Sequence, residues 1–314
     1  MTVLACDLGG TRIKIGLVHG GAVLAADVLA AHSDRGLRAR LPALAEACRS
    51  LCARHGTALT ACAGLAVSFP SLVDVRTGHI LAEYGKYRDG PEVDLRVGTA
   101  GTGTALAIEN DARMALIGEW RHGAGRGCDN LVMVTLGTGL GTSAVIEGRV
   151  LRGRHGQAGC LGGHLTLRYG GRDCGCGNAG CAEAEASTAF LAHVARGHAA
   201  FPASPLAGEA VLDYAAVFRH AAAGDPCAAA LRDHSLLVWS SLVVNLIHAY
   251  DPEVVILGGG IMASADVILP AVCAHVAGYA HTPWGKVRIV ASELGDGAAL
   301  AAAEWLVEEQ AEYA

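Results

Sequence analysis

Residues 3–28 read VLACDLGGTRIKIGLVHGGAVLAADV. A short apolar run ends in an acid, Asp7, and residues 12–19 alternate after Gly9 and Gly10. Gly20 and Gly21 then turn the chain into a third segment, 22–28. Alternation with period two around glycine turns predicts three strands joined by hairpins. The pattern returns at 131–151, LVMVTLGTGLGTSAVIEGRVL, where a strand over 131–136 meets a Gly/Thr turn and 142–147 with Val150 continue as a hairpin. One three-strand opening used twice points to an α/β chain built from two lobes.

Working outward, 37–55 carries apolar residues at helical spacing, and 64–69 is a buried strand closed by Pro70. Residues 70–104, rich in Gly, Pro and Asp, are expected to be an irregular loop bordering a ligand. A strand over 105–109 and a helix over 111–122 follow. Beyond 181 the pattern is mostly helical, at 186–197, 207–222 and 226–250, with strands at 253–257 and 287–291 and a last helix over 297–312. That helix is expected to pack back on the first lobe. The expected domains are therefore 1–118 joined by 297–314, and 119–296, with a cleft between them.

Length and composition agree. A chain of 314 residues exceeds what one compact core usually supports. With 52% hydrophobic residues, 17% charged residues and 42 glycines it reads as globular and rich in tight turns. A net charge of −6 offers no footprint for nucleic acid or an anionic membrane surface. The apolar stretch 235–250 includes Ser240, Ser241, Asn245 and His248 and reads as a buried helix, too short to span a bilayer. A first strand at residue 3 leaves no room for a secretory signal. Of 11 cysteines, those at 6, 48, 52, 62, 128, 160, 227 and 273 read as small buried thiols of a reducing compartment. The expected location is the cytoplasm.

The other three cysteines are clustered. Residues 163–183 read GHLTLRYGGRDCGCGNAGCAE, with His164, Cys174, Cys176 and Cys181 inside eighteen residues and glycine at 170, 171, 175, 177 and 180. Three sulfurs and one nitrogen suit a tetrahedral zinc ion with no open position, a structural rather than a catalytic site.

Two glycine turns carry phosphate chemistry. At Asp7-Leu8-Gly9-Gly10-Thr11 the glycines let backbone N–H groups approach a phosphate, Thr11 adds a hydroxyl, and Asp7 is placed to hold a water or Mg²⁺. A plain hairpin turn would also explain Gly9 and Gly10. The second loop, Gly137-Thr138-Gly139-Leu140-Gly141-Thr142, lacks the lysine of a P-loop and opens no helix. Neither turn is the glycine fingerprint of a dinucleotide dehydrogenase. Gly258, Gly259 and Gly260 follow an apolar strand and would let backbone pass close to a flat ligand, or simply join strand to helix. Glu109-Asn110-Asp111-Ala112 sits where a strand meets a helix. Asp111 offers a carboxylate that could accept a hydroxyl proton and Asn110 both donor and acceptor, although either could serve as a helix cap.

Taken together, CGCGNAGCAE preceded by AGCLGGH, with DLGGTRIK at 7–14, ENDA at 109–112, LGTGLGT at 136–142 and VVILGGGI at 254–261, resembles the ROK family of bacterial sugar kinases and sugar-responsive repressors. The resemblance runs from residue 4 to about 300. It implies two ribonuclease-H-like lobes of the actin, hexokinase and heat-shock ATPase superfamily, a homodimer, and ATP, Mg²⁺ and structural Zn²⁺ as cofactors. It further implies Asp111 as general base and Asn110, His164 and Glu183 as sugar ligands. Asp7, Gly9, Gly10, Thr11, Lys14, Gly137, Thr138, Gly139, Gly258, Gly259 and Gly260 would hold the nucleotide, and His164, Cys174, Cys176 and Cys181 the zinc. Glu185 lies outside the pattern and is expected at the surface.

Two positions depart from that pattern. Sugar kinases of the family usually read Gly-Glu-x-Gly-His, whereas Leu161 takes the glutamate's place here, and Ser71 follows Pro70 where glycine is commoner. These changes imply a substrate, or a substrate orientation, different from plain glucose or a 2-acetamido hexose; a modified sugar or a cyclitol would fit. The expected activity is ATP-dependent phosphorylation of a primary hydroxyl on a hexose-like molecule. The competing expectation is a non-catalytic sugar binder or regulator. The family's repressors carry an N-terminal helix-turn-helix domain, and a first strand at residue 3 implies a chain without one. A bare ATPase of the superfamily is disfavoured by the zinc cluster.

Overall fold

The computed structural model describes residues 1–96 and 104–311. Residues 97–103 of the expected loop and 312–314 of the expected last helix lie outside the described residues. The chain divides into two compact units. The first comprises Met1–Gly127, Arg152–Ala158 and Glu293–Ala314, the second Cys128–Leu151 and Gly159–Ser292.

The first unit is built on β1 (Thr2–Leu8), β2 (Arg12–His19), β3 (Ala22–Ala30), β4 (Leu65–Phe69) and, after the small hairpin β5 (Val73–Asp74) and β6 (His79–Ile80), β7 (Leu106–Asn110). The sheet order is β3-β2-β1-β4-β7, antiparallel from β3 to β1 and parallel from β1 to β7. β1 and β4 are buried on both faces, which is why they read as continuous apolar runs, while β3 at the edge is largely exposed. Helix α1 (Leu41–Arg54) buries Leu44, Cys48, Leu51 and Cys52, one face at helical spacing. Helix α2 (Asp111–His122) follows β7 directly.

The second unit repeats this plan with β8 (Leu131–Leu136), β9 (Leu140–Ile146), β10 (Arg149–Val150), α3 (Ala182–Ala186), α4 (Thr188–Arg196), α5 (Tyr214–Ala222), α6 (Pro226–Tyr250), β11 (Val254–Gly258), α7 (Ala265–Tyr279) and β12 (Arg288–Ala291). Its order, β10-β9-β8-β11-β12, has the same sequence of antiparallel and parallel pairings as the first sheet. The echo read at 131–151 is thus a structural duplication, and the fold is the duplicated α/β arrangement of the actin, hexokinase and heat-shock ATPase superfamily. Helix α6 starts at Asp225, whose carboxylate accepts the Ala228 N–H (2.7 Å), with Pro226 in the first turn. It ends at Asp251 in the left-handed conformation, before Pro252.

Several details differ from the sequence reading. The 186–197 helix is two, α3 and α4, separated by the extended Ser187. The helix expected from 207 begins at Tyr214, capped by Asp213. Helix α7 was not foreseen, because Pro270 inside it argues against a helix. Residues Gly260–Tyr279 are long and apolar enough by length and composition to cross a membrane. Here they pack Ile261, Ile268, Val272 and Val276 into the core of the second unit. The last helix is split into α8 (Ala298–Ala301) and α9 (Ala303–Ala311), which pack on the sheet and on α2 of the first unit. Of the cysteines expected to be buried, Cys273 is exposed.

Candidate active site

Strand register builds the first cluster. Asp7 pairs with Ser68 and Ser68 with Glu109, so the three stand in one row across β1, β4 and β7. Asn110 and Asp111 follow where β7 becomes α2, at the carboxyl ends of the parallel strands, where α/β sheets bind ligands. Ser68 Oγ donates to Asp7 Oδ1 (2.7 Å), and Lys14 Nζ lies 3.8 Å from Asp7 Oδ2. Lys14 also donates to the Asp296 carbonyl (2.8 Å) and stands 3.4 Å from its carboxylate. Burial pushes the Asp7 carboxyl up from its ordinary value, against the pull of Ser68 and Lys14.

The turn between β1 and β2 closes through Gly9 N–H donating to Arg12 O (2.9 Å). A side chain on Gly9 would come within 2.7 Å of that same oxygen, which requires glycine here. Tyr87 OH donates to Gly9 O (2.9 Å) and Ser33 Oγ to Gly10 O (2.8 Å), so two side chains hold the turn's carbonyls. Thr11 is exposed at its tip.

Asn110 is buried and serves as the N-cap of α2: its Oδ1 accepts the Ala112 and Arg113 N–H groups (3.1 and 3.2 Å). Its Nδ2 donates to Ser71 O and to Asp111 Oδ1 (3.1 and 3.0 Å). Burial raises the Asp111 carboxyl to about 6; Lys86 opposes this most, and Asp7 adds to it. Such a group is ionised at neutral pH yet basic enough to take a proton.

Beneath this pair lies an ionic network absent from the sequence reading. Glu109 and Arg113 are fully buried, with Nη1 to Oε1 at 3.2 Å. Arg113 Nη2 donates to Gly156 O and Ala158 O (both 2.8 Å). Arg152 donates to Glu109 Oε2 (2.7 Å) and to both oxygens of Glu309 (2.9 and 2.5 Å). Glu109 Oε1 also accepts the Asn110 N–H (2.8 Å). The four-residue spacing of Glu109 and Arg113 was the available signal.

The second unit holds the remaining residues. In the 137–139 turn, Gly137 N–H donates to Gly139 O (3.1 Å), while Gly137 O and Thr138 O accept the first N–H groups of α4 (3.1 and 3.0 Å). Glu183 Oε2 accepts the Leu140 N–H (3.0 Å), so α3 and this turn are joined. Thr142 Oγ1 donates to Gly159 O (2.5 Å) and accepts from Gly162 N (2.8 Å), so its hydroxyl is spent within the unit. Gly258 ends β11, and Gly259, at φ 92°, sits so close to Leu136 O that no side chain would fit. Gly260 opens a single 3₁₀ turn. Leu161 is half-buried, at the start of the 3₁₀ turn that carries His164.

His164, Cys174, Cys176 and Cys181 converge, with their ligand atoms all within 4.8 Å of one another. His164 Nδ1 is 3.6 Å from Cys174 Sγ, and Cys176 Sγ is 3.7 Å from Cys181 Sγ. A tetrahedral zinc with bonds of about 2.3 Å to sulfur and about 2.0 Å to nitrogen sets neighbours about 3.8 and 3.5 Å apart, so the donor set fits. The expectation for Glu185 is corrected: it is 1% exposed. Its carboxylate accepts from Arg172 Nη1 (2.6 Å) and from the Arg172 N–H (3.2 Å), with Arg168 at 3.6 Å and His234 at 3.3 Å. It clamps the arm that leads into the cysteines, and burial of its charge is tolerated because the Arg172 and Arg168 guanidinium groups stand against it.

Comparison with known proteins gives the family. The ROK family model matches residues 3–310. A glucokinase of Halalkalibacterium halodurans is 30% identical, over 97% of this chain and 94% of its own. The crystal structure of a ROK hexokinase from Thermus thermophilus superimposes with a TM-score of 0.81 at 31% identity, covering all of both chains. A ROK family glucokinase from Streptomyces griseus, solved with glucose and AMPPNP, gives a TM-score of 0.81 at 27% identity over 98% of this chain and 100% of its own. With the family model spanning nearly every residue and each of its motifs placed at a strand end, a turn or the cysteine cluster, this chain belongs to the ROK family.

Proposed function

We propose that the protein is an ATP-dependent sugar kinase that phosphorylates a primary hydroxyl of a hexose-like substrate, with Asp111 as general base. The observation that carries this reading is the half-buried Asp111 at the start of α2, held beside the capping Asn110 and two strands from the Asp7–Lys14 turn. Its relatives with sugar-kinase names support the reaction class. Asp111 takes the proton as the sugar oxygen attacks the γ-phosphorus and ADP leaves. The nucleotide residues of this reading are Asp7, Gly9, Gly10, Thr11 and Lys14 in the first unit and Gly137, Thr138, Gly139, Gly258, Gly259 and Gly260 in the second. Mg²⁺ bound with the nucleotide neutralises phosphate charge, and Asp7 would hold it directly or through water. Zinc on His164, Cys174, Cys176 and Cys181 keeps the segment around His164 and Glu183 rigid. The His164 Nδ1 edge faces the thiols, which leaves Nε2 for a sugar hydroxyl. A homodimer in the cytoplasm completes the reading.

Leu161 presents an apolar surface where the family pattern has an acceptor. An unpaired hydroxyl there costs about 1–3 kcal/mol of binding. Glucose and N-acetylated hexoses are therefore poor substrates, and a sugar or cyclitol altered at the position facing Leu161 is better. The test is a coupled ATP-consumption screen across hexoses, amino sugars and cyclitols, with kcat/KM for glucose compared in wild type and Leu161→Glu. A flat response from folded, zinc-loaded protein would replace the kinase reading with a binding protein. Glucose as best substrate, with the mutation harmful, would overturn the specificity argument alone.

A further inference from the structure

Lys86 has no place in any motif, yet the fold delivers it to the phosphate turn. The next residue, Tyr87, is fully buried in a left-handed conformation (φ 50°), its ring against Phe69 and its hydroxyl on Gly9 O. Its N–H donates to Ser33 O (3.0 Å), and Ser33 in turn donates to Gly10 O. On the other side of Lys86, the Gly85 N–H is held by Glu83 (2.7 Å). The segment is thus pinned on both sides of residue 86, and the lysine stem lies across Gly10. A methyl built on Gly10 would come within 2.9 Å of Cε and 3.1 Å of Cδ. The charge reaches Asp111, where it is the strongest influence favouring the carboxylate.

The two lysines at this turn are not equivalent. Lys14 is occupied by Asp7 and by Asp296. Lys86, half-buried, has no carboxylate within 4 Å among the described residues. An ammonium with three donors, its stem across Gly10 and no carboxylate at contact distance, is prepared for incoming negative charge. The charged groups that bear on Asp111 are Lys86 and Asp7, with Lys14 and Asp296 one step further through Asp7, and the Ala112 N–H and Asn110 Nδ2 also favour its carboxylate.

We propose that Lys86 is a further catalytic residue, whose ammonium contacts the phosphoryl group in transit from nucleotide to sugar. This rests on the kinase reading. As the γ-phosphorus to ADP oxygen bond breaks, its electron pair leaves with ADP. The sugar oxygen to phosphorus bond forms, the hydroxyl proton passes to Asp111, and Lys86 stabilises the charge on the transferred oxygens.

The experiment compares wild type, Lys86→Met and Lys86→Arg, with glucose as acceptor or a 2-acetamido hexose if glucose is not turned over. Lys86→Met should lower kcat roughly a hundredfold, as loss of one transition-state donor does, with KM for the sugar within about threefold. Lys86→Arg should recover most of the loss, because the charge remains. By calorimetry, Lys86→Met should bind AMPPNP about tenfold more weakly and ADP nearly as wild type does, one lost charge contact to the terminal phosphate being worth about that factor. A kcat for Lys86→Met within threefold of wild type overturns the proposal. If wild type phosphorylates no sugar, the kinase reading fails, and the nucleotide comparison still decides Lys86: equal affinities for both nucleotides in variant and wild type overturn it.

Discussion

Replacing Arg113 by methionine tests the ionic network beneath Asn110 and Asp111. The guanidinium is fully buried and bonds Glu109 and the carbonyls of Gly156 and Ala158. Methionine fills much of the volume but none of those bonds, and leaves a buried carboxylate with one cation fewer. Breaking a buried pair typically costs 3–5 kcal/mol, and retention of Arg152 on Glu109 Oε2 places the expected loss near the lower end, about 3 kcal/mol. The assay is urea unfolding followed by tryptophan fluorescence, to which Trp120 and Trp305, in edge-to-face contact in the first unit, contribute. A loss of that size should lower the midpoint by roughly 1 M or more. The double variant Glu109→Gln/Arg113→Met removes the stranded charge, so its loss should fall short of the two single losses combined by about 2 kcal/mol. A single-variant loss below about 1 kcal/mol, or strict additivity, would refute the reasoning. Because Glu109 also receives the Asn110 N–H, Arg113→Met should lower kcat as well as stability.

Asp111→Asn should keep the fold and lower turnover at least about a hundredfold, measured at saturating substrates. With the Asp111 carboxyl raised to about 6 by burial, wild-type kcat should fall about tenfold per pH unit below that value. The same shift favours the protonated native state, so its contribution to stability is present below pH about 4 and lost as pH rises through about 6. Asp111→Asn should accordingly melt higher than wild type at pH 7 and lose that advantage by pH 4. Metal analysis should find one zinc per chain, released on His164→Ala together with faster proteolysis across 165–180; freely reactive thiols and no zinc in wild type would refute the assignment. Glu185→Ala should loosen the arm around Arg168 and Arg172, read as faster proteolysis there while the nucleotide affinity of the protein is retained.

Legibility in the sequence followed the length scale of the physics involved. Strands β1 and β2, helix α2 and helix α6 were read nearly to their ends, because periodicity and capping residues are local signals. The convergence of His164 with the three cysteines was equally readable, since the ligands share one short segment. Helix α7 was lost to Pro270, whose missing N–H is tolerated inside a helix already held by Ile268, Val272 and Val276 in the core. Glu185 reads as a surface residue in the sequence because its partners Arg168, Arg172 and His234 are brought to it only by folding. Lys86 was invisible for a related reason: what aims it is the burial of Tyr87 against Phe69 and Gly9, a contact between segments almost eighty residues apart.

The discontinuity of the first unit bears on how the chain is made. β1 leaves the ribosome long before α8 and α9, which cover it. The amino group of Met1 ends 3.0 Å from Glu304, and Gly21 N–H donates to the same side chain. At bacterial or eukaryotic synthesis rates that interval lasts roughly 15–60 s, during which an apolar sheet face stands uncovered. The second unit, whose two segments are complete by Ser292, can close before the first. Nascent chains stalled a few residues short of α8 should therefore be the species that chaperones hold, and a gene cut at that point should yield a folded second unit tethered to an aggregation-prone first.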